Sequence, residues 1–196
     1  MHLLVRETRG LDEAEDAVDL GQSRADRVFL SFSDSDLGAL AAAWSAQGET
    51  APSLRLANLA KLRHPMSVDL YVEKVIAGAH CIVIRLLGGL DYWRYGAEEI
   101  AHAARANNIP LALLPGDGRV DARLAELSTV DGATLARLDG FFSAGGPENT
   151  RRALGLMAHL AGLAPDLGLV AEPLPMHGEF RLDVPDVPGQ IGRAHV

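Results

Sequence analysis

The stretch HCIVIRLLGGLDYWRYGAEEIAHAARANNIPLALLPGDG, His80–Gly118, decides the fold. A nearly unbroken apolar run from Cys81 to Leu87 stops at Gly88-Gly89. An aromatic-rich segment, Leu90 to Tyr95, leads into a helical pattern, and a second apolar run, Ile109 to Leu114, stops at Pro115-Gly116. That is strand, loop, helix, strand. Neither strand shows the apolar–polar alternation of a sheet with one wet face, so both faces must be covered, as in a parallel sheet flanked by helices. The expected fold is α/β: an open, mostly parallel sheet with helices on both faces, flavodoxin-like or Rossmann-like, followed by C-terminal helices.

Working outward, Leu3–Val5 reads as a short first strand. Leu11–Leu20 reads as a helix with apolar residues at helical spacing, closed by Gly21. Val28–Phe32 is the next strand, and Ser33–Asp36 offers several N-caps for an alanine-rich helix, Leu37–Ala46. Leu54–Leu59 fits a strand by partial alternation and equally a helical turn, with Pro65 as its stop. Ser67 is the expected N-cap of a helix Val68–Ile76 that turns Leu70, Val75 and Ile76 toward the sheet. Asp91 is the expected cap of the helix carrying Tyr92, Trp93, Tyr95, Ile100, Ala101 and Ala104. Downstream lie a short helix, Ala122–Leu127, and two more helices hinged at Gly145-Gly146. The first is Thr134–Phe142; the second starts at Pro147 or Glu148 and carries an apolar stripe through Ala153, Leu154 and Met157. From Pro165 the character changes, since five of the ten prolines fall there and apolar residues thin out after Val170. The expected division is residues 1–163 as an α/β domain and 164–196 as a proline-rich linker or the truncated start of a further domain.

With 48% apolar and 22% charged residues and a formal net charge of -8, the chain has the balance of a water-soluble protein with no concentration of Lys and Arg. Nucleic acid is therefore not an expected partner. No apolar run is long enough for a membrane span, and the acidic N-terminus does not read as a signal peptide, so no membrane partner is expected. The lone cysteine, Cys81, sits inside an apolar run and reads as a buried, inert thiol suited to a reducing cytoplasm, the expected location.

The chemistry-bearing residues gather at the strand ends. Arg85 interrupts an apolar strand; a charge there costs several kcal/mol unless paired, so it must reach the rim or meet an acid, with Asp34, Asp36 and Asp91 as candidates. Gly88-Gly89 permits a tight turn or a close approach. Tyr92, Trp93 and Tyr95 cannot all face one core, so at least one lines a cleft or packs on a neighbour. There is no GxGxxG, no GxxxxGK[ST] and no GxSxG. None of the seven histidines has metal-ligand spacing with another, and His64 and His80 read as rim or surface residues. Metal ligands and catalytic groups are not assignable from these patterns.

Four segments, VFLSFSDSDL, LRLANLAKLRHPMSVDLYVEKV, VIRLLGGLDYWRYGAEEI and LALLPGD, together with GGPENTRRAL, resemble the N-terminal region of the large subunit of aerobic cobaltochelatase, the CobN family, over roughly residues 1 to 160. That family is similar to the large subunit of magnesium chelatase. The resemblance implies an ATP-dependent ligase component that inserts Co(II) into hydrogenobyrinic acid a,c-diamide in cobalamin biosynthesis. It implies two smaller partners, one an AAA+ ATPase that binds ATP and Mg(II), and a large subunit that carries the corrinoid. The family's large subunit is much longer, so the chain is expected to be a piece of it, inactive alone and binding no cofactor itself; the closing IGRAHV does not resemble family sequence. Arg85, Gly88, Gly89, Tyr92, Trp93, Arg94 and Tyr95 are the candidates for a corrinoid-cleft wall or an interdomain contact. The alternatives are a non-catalytic docking domain for the partner subunits and a flavodoxin-like small-molecule binder.

Overall fold

The computed structural model describes residues 17–119 and 121–174. The strand expected at Leu3–Val5 lies outside them, as does most of the helix expected at Leu11–Leu20. A four-stranded parallel sheet has the order β2-β1-β3-β4, with β1 Arg27–Ser31, β2 Leu54–Asn58, β3 Cys81–Leu86 and β4 Leu111–Pro115. This is the flavodoxin-like alternative of the two expected, because β3 rather than β4 lies beside β1. The helices are α1 Asp34–Ser45, α2 Pro65–Lys74, α3 Arg94–Ala106, α4 Ala122–Leu127, α5 Gly132–Ala144 and α6 Gly146–Leu160.

Both sheet faces are covered, which is why the strands read as continuous apolar runs. On one face Val28, Leu30, Ile82, Ile84, Leu111 and Leu113 pack under α2, α3 and α4, against Val68, Tyr71, Ile100 and Leu124. On the other, Phe29, Cys81, Val83, Ala112 and Leu114 pack under α1, α5 and α6, against Leu40, Leu138, Phe141, Leu154 and Met157. Burial raises the Cys81 thiol to about 12, so it is inert at neutral pH, as expected.

Several local expectations need correction. Residues 17–20 form no helix. They lie along α2, where Val18 N–H donates to Ser67 Oγ (2.7 Å) and the Asp19 carboxylate takes Lys74. Ser67 is thereby buried as an acceptor and does not cap α2. The cap is His64, whose Nδ1 accepts from Met66 N–H (3.1 Å), with Pro65 in the first turn, where its missing N–H costs nothing. Val68 and Tyr71 take the sheet-facing place expected of Leu70, which is half-buried. Leu54–Leu59 satisfies both of its readings: β2 runs into a 3-10 turn, Leu59–Leu62, capped by Asn58. Asp91 does not cap α3; it sits in a 3-10 turn, Leu90–Tyr92, and α3 starts after Trp93 with no side-chain cap.

Residues 164–174 are laid back over the domain. Residues 165–172 carry no helix or strand, but Leu169 and Ala171 pack against the α5–α6 side of the core.

Candidate functional site

In an open parallel sheet, ligands settle outside the carboxyl ends of the strands where the chain's direction of travel across the sheet reverses. Here that is the crevice between β1 and β3, whose last aligned neighbours are Ser31 and Arg85. Arg85 points to the α1–α5 face. Its Nη1 donates to both Asp36 oxygens (2.9 and 3.1 Å), and Ser31 Oγ donates to Asp36 Oδ2 (3.0 Å). Of the acids expected for Arg85, Asp36 is the partner. The guanidinium lies 5.7 Å from the Phe142 ring centroid. A second carboxyl, Asp139 on α5, is pushed up by burial and pulled partly back by Arg85. Ser33 caps α1, with its Oγ accepting from Asp36 N–H (3.2 Å), so the SDSD loop both caps a helix and pairs a partly buried charge.

This arrangement bears on the flavodoxin-like small-molecule reading at one point, the binding of a phosphate. A phosphate at this crevice would need the free N–H groups and positive end of α1. Asp34 and Asp36 already stand in that first turn, and Arg85 is neutralised by Asp36. The local field disfavours an anion.

Gly88 and Gly89 both adopt positive φ (85° and 74°). A Cβ on Gly89 would approach Asp121 Oδ2 to 3.1 Å, and that oxygen accepts from Leu90 N–H (3.1 Å). The turn is held from outside by charges. Arg123 grips Asp121 through Nε and Nη2 (both 2.9 Å) and reaches Asp91 through Nη1 (3.0 Å), while Arg94 also pairs with Asp91. Asp121 is held down to about 2, first by its Arg123 bond. Gly88, Gly89 and Arg94 thus build the rim. Asp121 and Arg123 were not legible in advance, although an Asp before ARLAEL is a usable N-cap signal.

The aromatic trio divides. Trp93 is buried and its Nε1–H donates to Leu62 O (2.8 Å). Tyr92 and Tyr95 are exposed. Tyr92 meets Phe32 edge-on (centroids 5.1 Å, 72°) and carries Arg63 over its ring, whose Nη2 donates to the phenol oxygen (3.0 Å). Tyr95 donates to Asp69 Oδ1 (2.6 Å), which raises the phenol to about 12. Arg63, Tyr92, Arg94 and Tyr95 line one open groove over Trp93 and Gly96. The seven candidates therefore fall into three places: Arg85 in the β1–β3 crevice, Gly88, Gly89 and buried Trp93 as scaffold, and Tyr92, Arg94 and Tyr95 facing solvent. Met66, exposed at the start of α2, was not among them. Among the described residues, no three His, Cys, Asp or Glu side chains come together to hold a metal ion. No described helix is long and apolar enough to cross a membrane.

No family model matches the chain. It is 42% identical over 149 residues to the aerobic cobaltochelatase subunit CobN of a Sinorhizobium species, and 39% identical over 149 residues to that of Pseudomonas aeruginosa. Each alignment takes in 76% of this chain and 12% of the relative, so the chain spans a small part of their length. The catalytic subunit of cobaltochelatase from Mycobacterium tuberculosis superposes with a TM-score of 0.62 at 26% identity, covering 82% of this chain and 12% of that one. By sequence and by fold, the chain matches one part of the CobN subunits of cobaltochelatase.

Proposed function

We propose that this chain works as part of the large subunit of an ATP-dependent aerobic cobaltochelatase, which inserts Co(II) into hydrogenobyrinic acid a,c-diamide in cobalamin biosynthesis. The observation that carries this reading is 42% identity over 149 residues to a named cobaltochelatase subunit. In the proposed assembly an AAA+ ATPase holds ATP and Mg(II), a second small subunit completes the complex, and cobalt and corrinoid are the substrates. Insertion requires removal of pyrrolic protons and exchange of the metal's water for ring nitrogens. We assign no proton or metal step to the residues described here, and alone the domain inserts no metal.

The role we assign is to form a wall or contact surface at the carboxyl rim. Tyr92 and Tyr95 offer aromatic area there, while of the cations lining the groove Arg94 is committed to Asp91 and Arg63 lies over the Tyr92 ring and donates to its phenol oxygen. The groove therefore suits apolar and hydrogen-bonding contact rather than capture of an anion. The same committed charges favour a second reading, a docking surface for the partner subunits. An absorbance titration of hydrogenobyrinic acid a,c-diamide against the protein, run beside a pull-down with the two smaller subunits, tests both. A spectral shift lost in Tyr92→Ala/Tyr95→Ala supports the wall. Retention of the partners without a spectral shift supports docking. The absence of both a spectral shift and partner retention would overturn the assigned role.

A further inference from the structure

The described residues expose eight large apolar side chains, and four of them, Leu163, Leu167, Val170 and Leu174, at 45%, 68%, 67% and 55%, fall within one short segment after α6. That segment is pinned from behind. Arg137 forks onto Asp166 (2.7 and 2.8 Å) and reaches Leu169 O; Arg152 takes Val170 O (2.9 Å) and the Glu172 carboxylate. Asn149 donates to Glu172 O (2.7 Å) and accepts from Glu172 N–H (2.9 Å). Leu169 and Ala171, partly buried, pack against the core. The ribbon returns along α6 to its first turn, where Leu174 rests on Gly146: a Cβ there would lie 2.9 Å from Leu174 Cδ2. Gly146 and Pro147 also form one wall of an apolar groove whose other wall is Ala39, Ala42, Ala43 and Ala46 of α1. Ridge and groove are continuous at Gly146.

For the domain alone the four outward side chains bring little return. Ordering the ribbon costs backbone entropy, and the side chains left outward forgo the burial that would repay it. A fixed apolar ridge is the form that lowers the cost of binding something that covers it. We infer that the ridge and the adjoining α1–α6 groove are the face on which another domain of the same large subunit packs, presenting an apolar surface to Leu167, Val170 and the α1 alanines. The inference rests on the family reading, because the relatives are so much longer that the aligned part is 12% of their length. Most of such a subunit lies outside this structure, and an ordered apolar face on the domain is where a neighbouring part of it would pack.

Hydroxyl-radical footprinting of this 196-residue chain and of the full-length Sinorhizobium subunit tests it. The segment after the last helix of the domain should label freely in the short chain and several-fold less at the aligned place in the long one. Equal labelling overturns the inference and leaves the family reading untouched, since that reading rests on sequence identity and is tested by the titration and pull-down together. In the short chain, Leu167→Asp with Val170→Asp should leave the denaturation midpoint unchanged; a marked loss would mean these residues serve the domain itself. A dimer of the short chain that dissolves in the same variant would make a second copy the occupant, and also overturns the proposal.

Discussion

Arg27 and Arg85 stand at opposite ends of the same sheet face, and the chain satisfies them differently. Arg27, at the amino edge, is 1% exposed and ends on backbone: Nη1 donates to Leu154 O (3.0 Å) in α6 and Nη2 to Pro52 O (2.7 Å) before β2. Its charge is disfavoured chiefly by burial. Arg85, at the carboxyl edge, keeps 13% of its side chain in contact with solvent and ends on the Asp36 carboxylate. Carbonyl partners are fixed by the elements that carry them, so Arg27 bolts α6 and the α1–β2 loop to β1. A carboxylate partner is a side chain that can be exchanged. The amino edge is sealed and structural; the carboxyl edge, where open α/β sheets place their ligands, is held together by side chains.

The contrast breaks most visibly at the sealed end. Arg27→Met keeps the apolar stem and removes both charge-assisted bonds, each worth about 1.5–3 kcal/mol, while release of a desolvated charge returns part of the loss. The expected net cost is about 2–4 kcal/mol, read as a lower urea midpoint at unchanged slope. A variant as stable as the parent would show that Arg27 is no bolt. Next comes Asp36→Ala, which leaves Arg85 partly buried without its carboxylate. The cost is expected at about 2–3 kcal/mol, below the range for a fully buried pair because some solvent reaches the site. Adding Arg85→Met should recover most of it, and a double-mutant cycle with no coupling would deny the pair.

The two edges also differ in how far they could be read beforehand. The Cys81–Leu87 and Ile109–Leu114 runs show a buried parallel sheet because nothing polar interrupts them except Arg85, and that exception requires an acid nearby. Asp36 was one of three acids in reach. Arg27 carries no comparable signal. In DRVFL it looks like the charged residue before a strand, and its partners are main-chain oxygens, 25 and 127 residues away, that no side-chain pattern marks. The His64 cap was missed because imidazole is an uncommon acceptor there, though Pro65 marked the first turn. That the aromatic trio would split was legible; which member turned inward was decided by Gly96, three residues past Trp93, and that glycine is the signal to look for.

Gly96 gives the third test, confined to the carboxyl edge. A Cβ at this position would stand 2.1 Å from Trp93 Cζ2, so Gly96→Ala must displace the indole from its bond to Leu62 O. Overpacking of this kind costs about 1–3 kcal/mol. The displaced ring should also shift the tryptophan emission to the red. Unchanged emission at unchanged stability would mean that the groove's floor is softer than its wall.

The smallest effect belongs to the charges outside the rim and separates the two edges by pH. Asp121 is held at about 2 against an ordinary 3.8, first by its Arg123 bond and then by Leu90 N–H. A carboxylate depressed on folding contributes stability that is fully present above its unfolded value and lost as pH falls through its folded value. The window here runs from 3.8 down to about 2. Arg123→Gln should return Asp121 toward its ordinary value and make the acid limb of stability against pH shallower than the parent's over that window. The bond is solvent-exposed, so the difference should be slight and should shrink further in high salt. Arg27 makes no hydrogen bond to a carboxylate and adds only the last of the pulls that lower Asp26, so the Arg27→Met curve should depart from the parent's less than the Arg123→Gln curve does. An Arg123→Gln curve parallel to the parent's would remove the charge clamp from the turn at Gly88-Gly89 and leave that turn to its glycines alone.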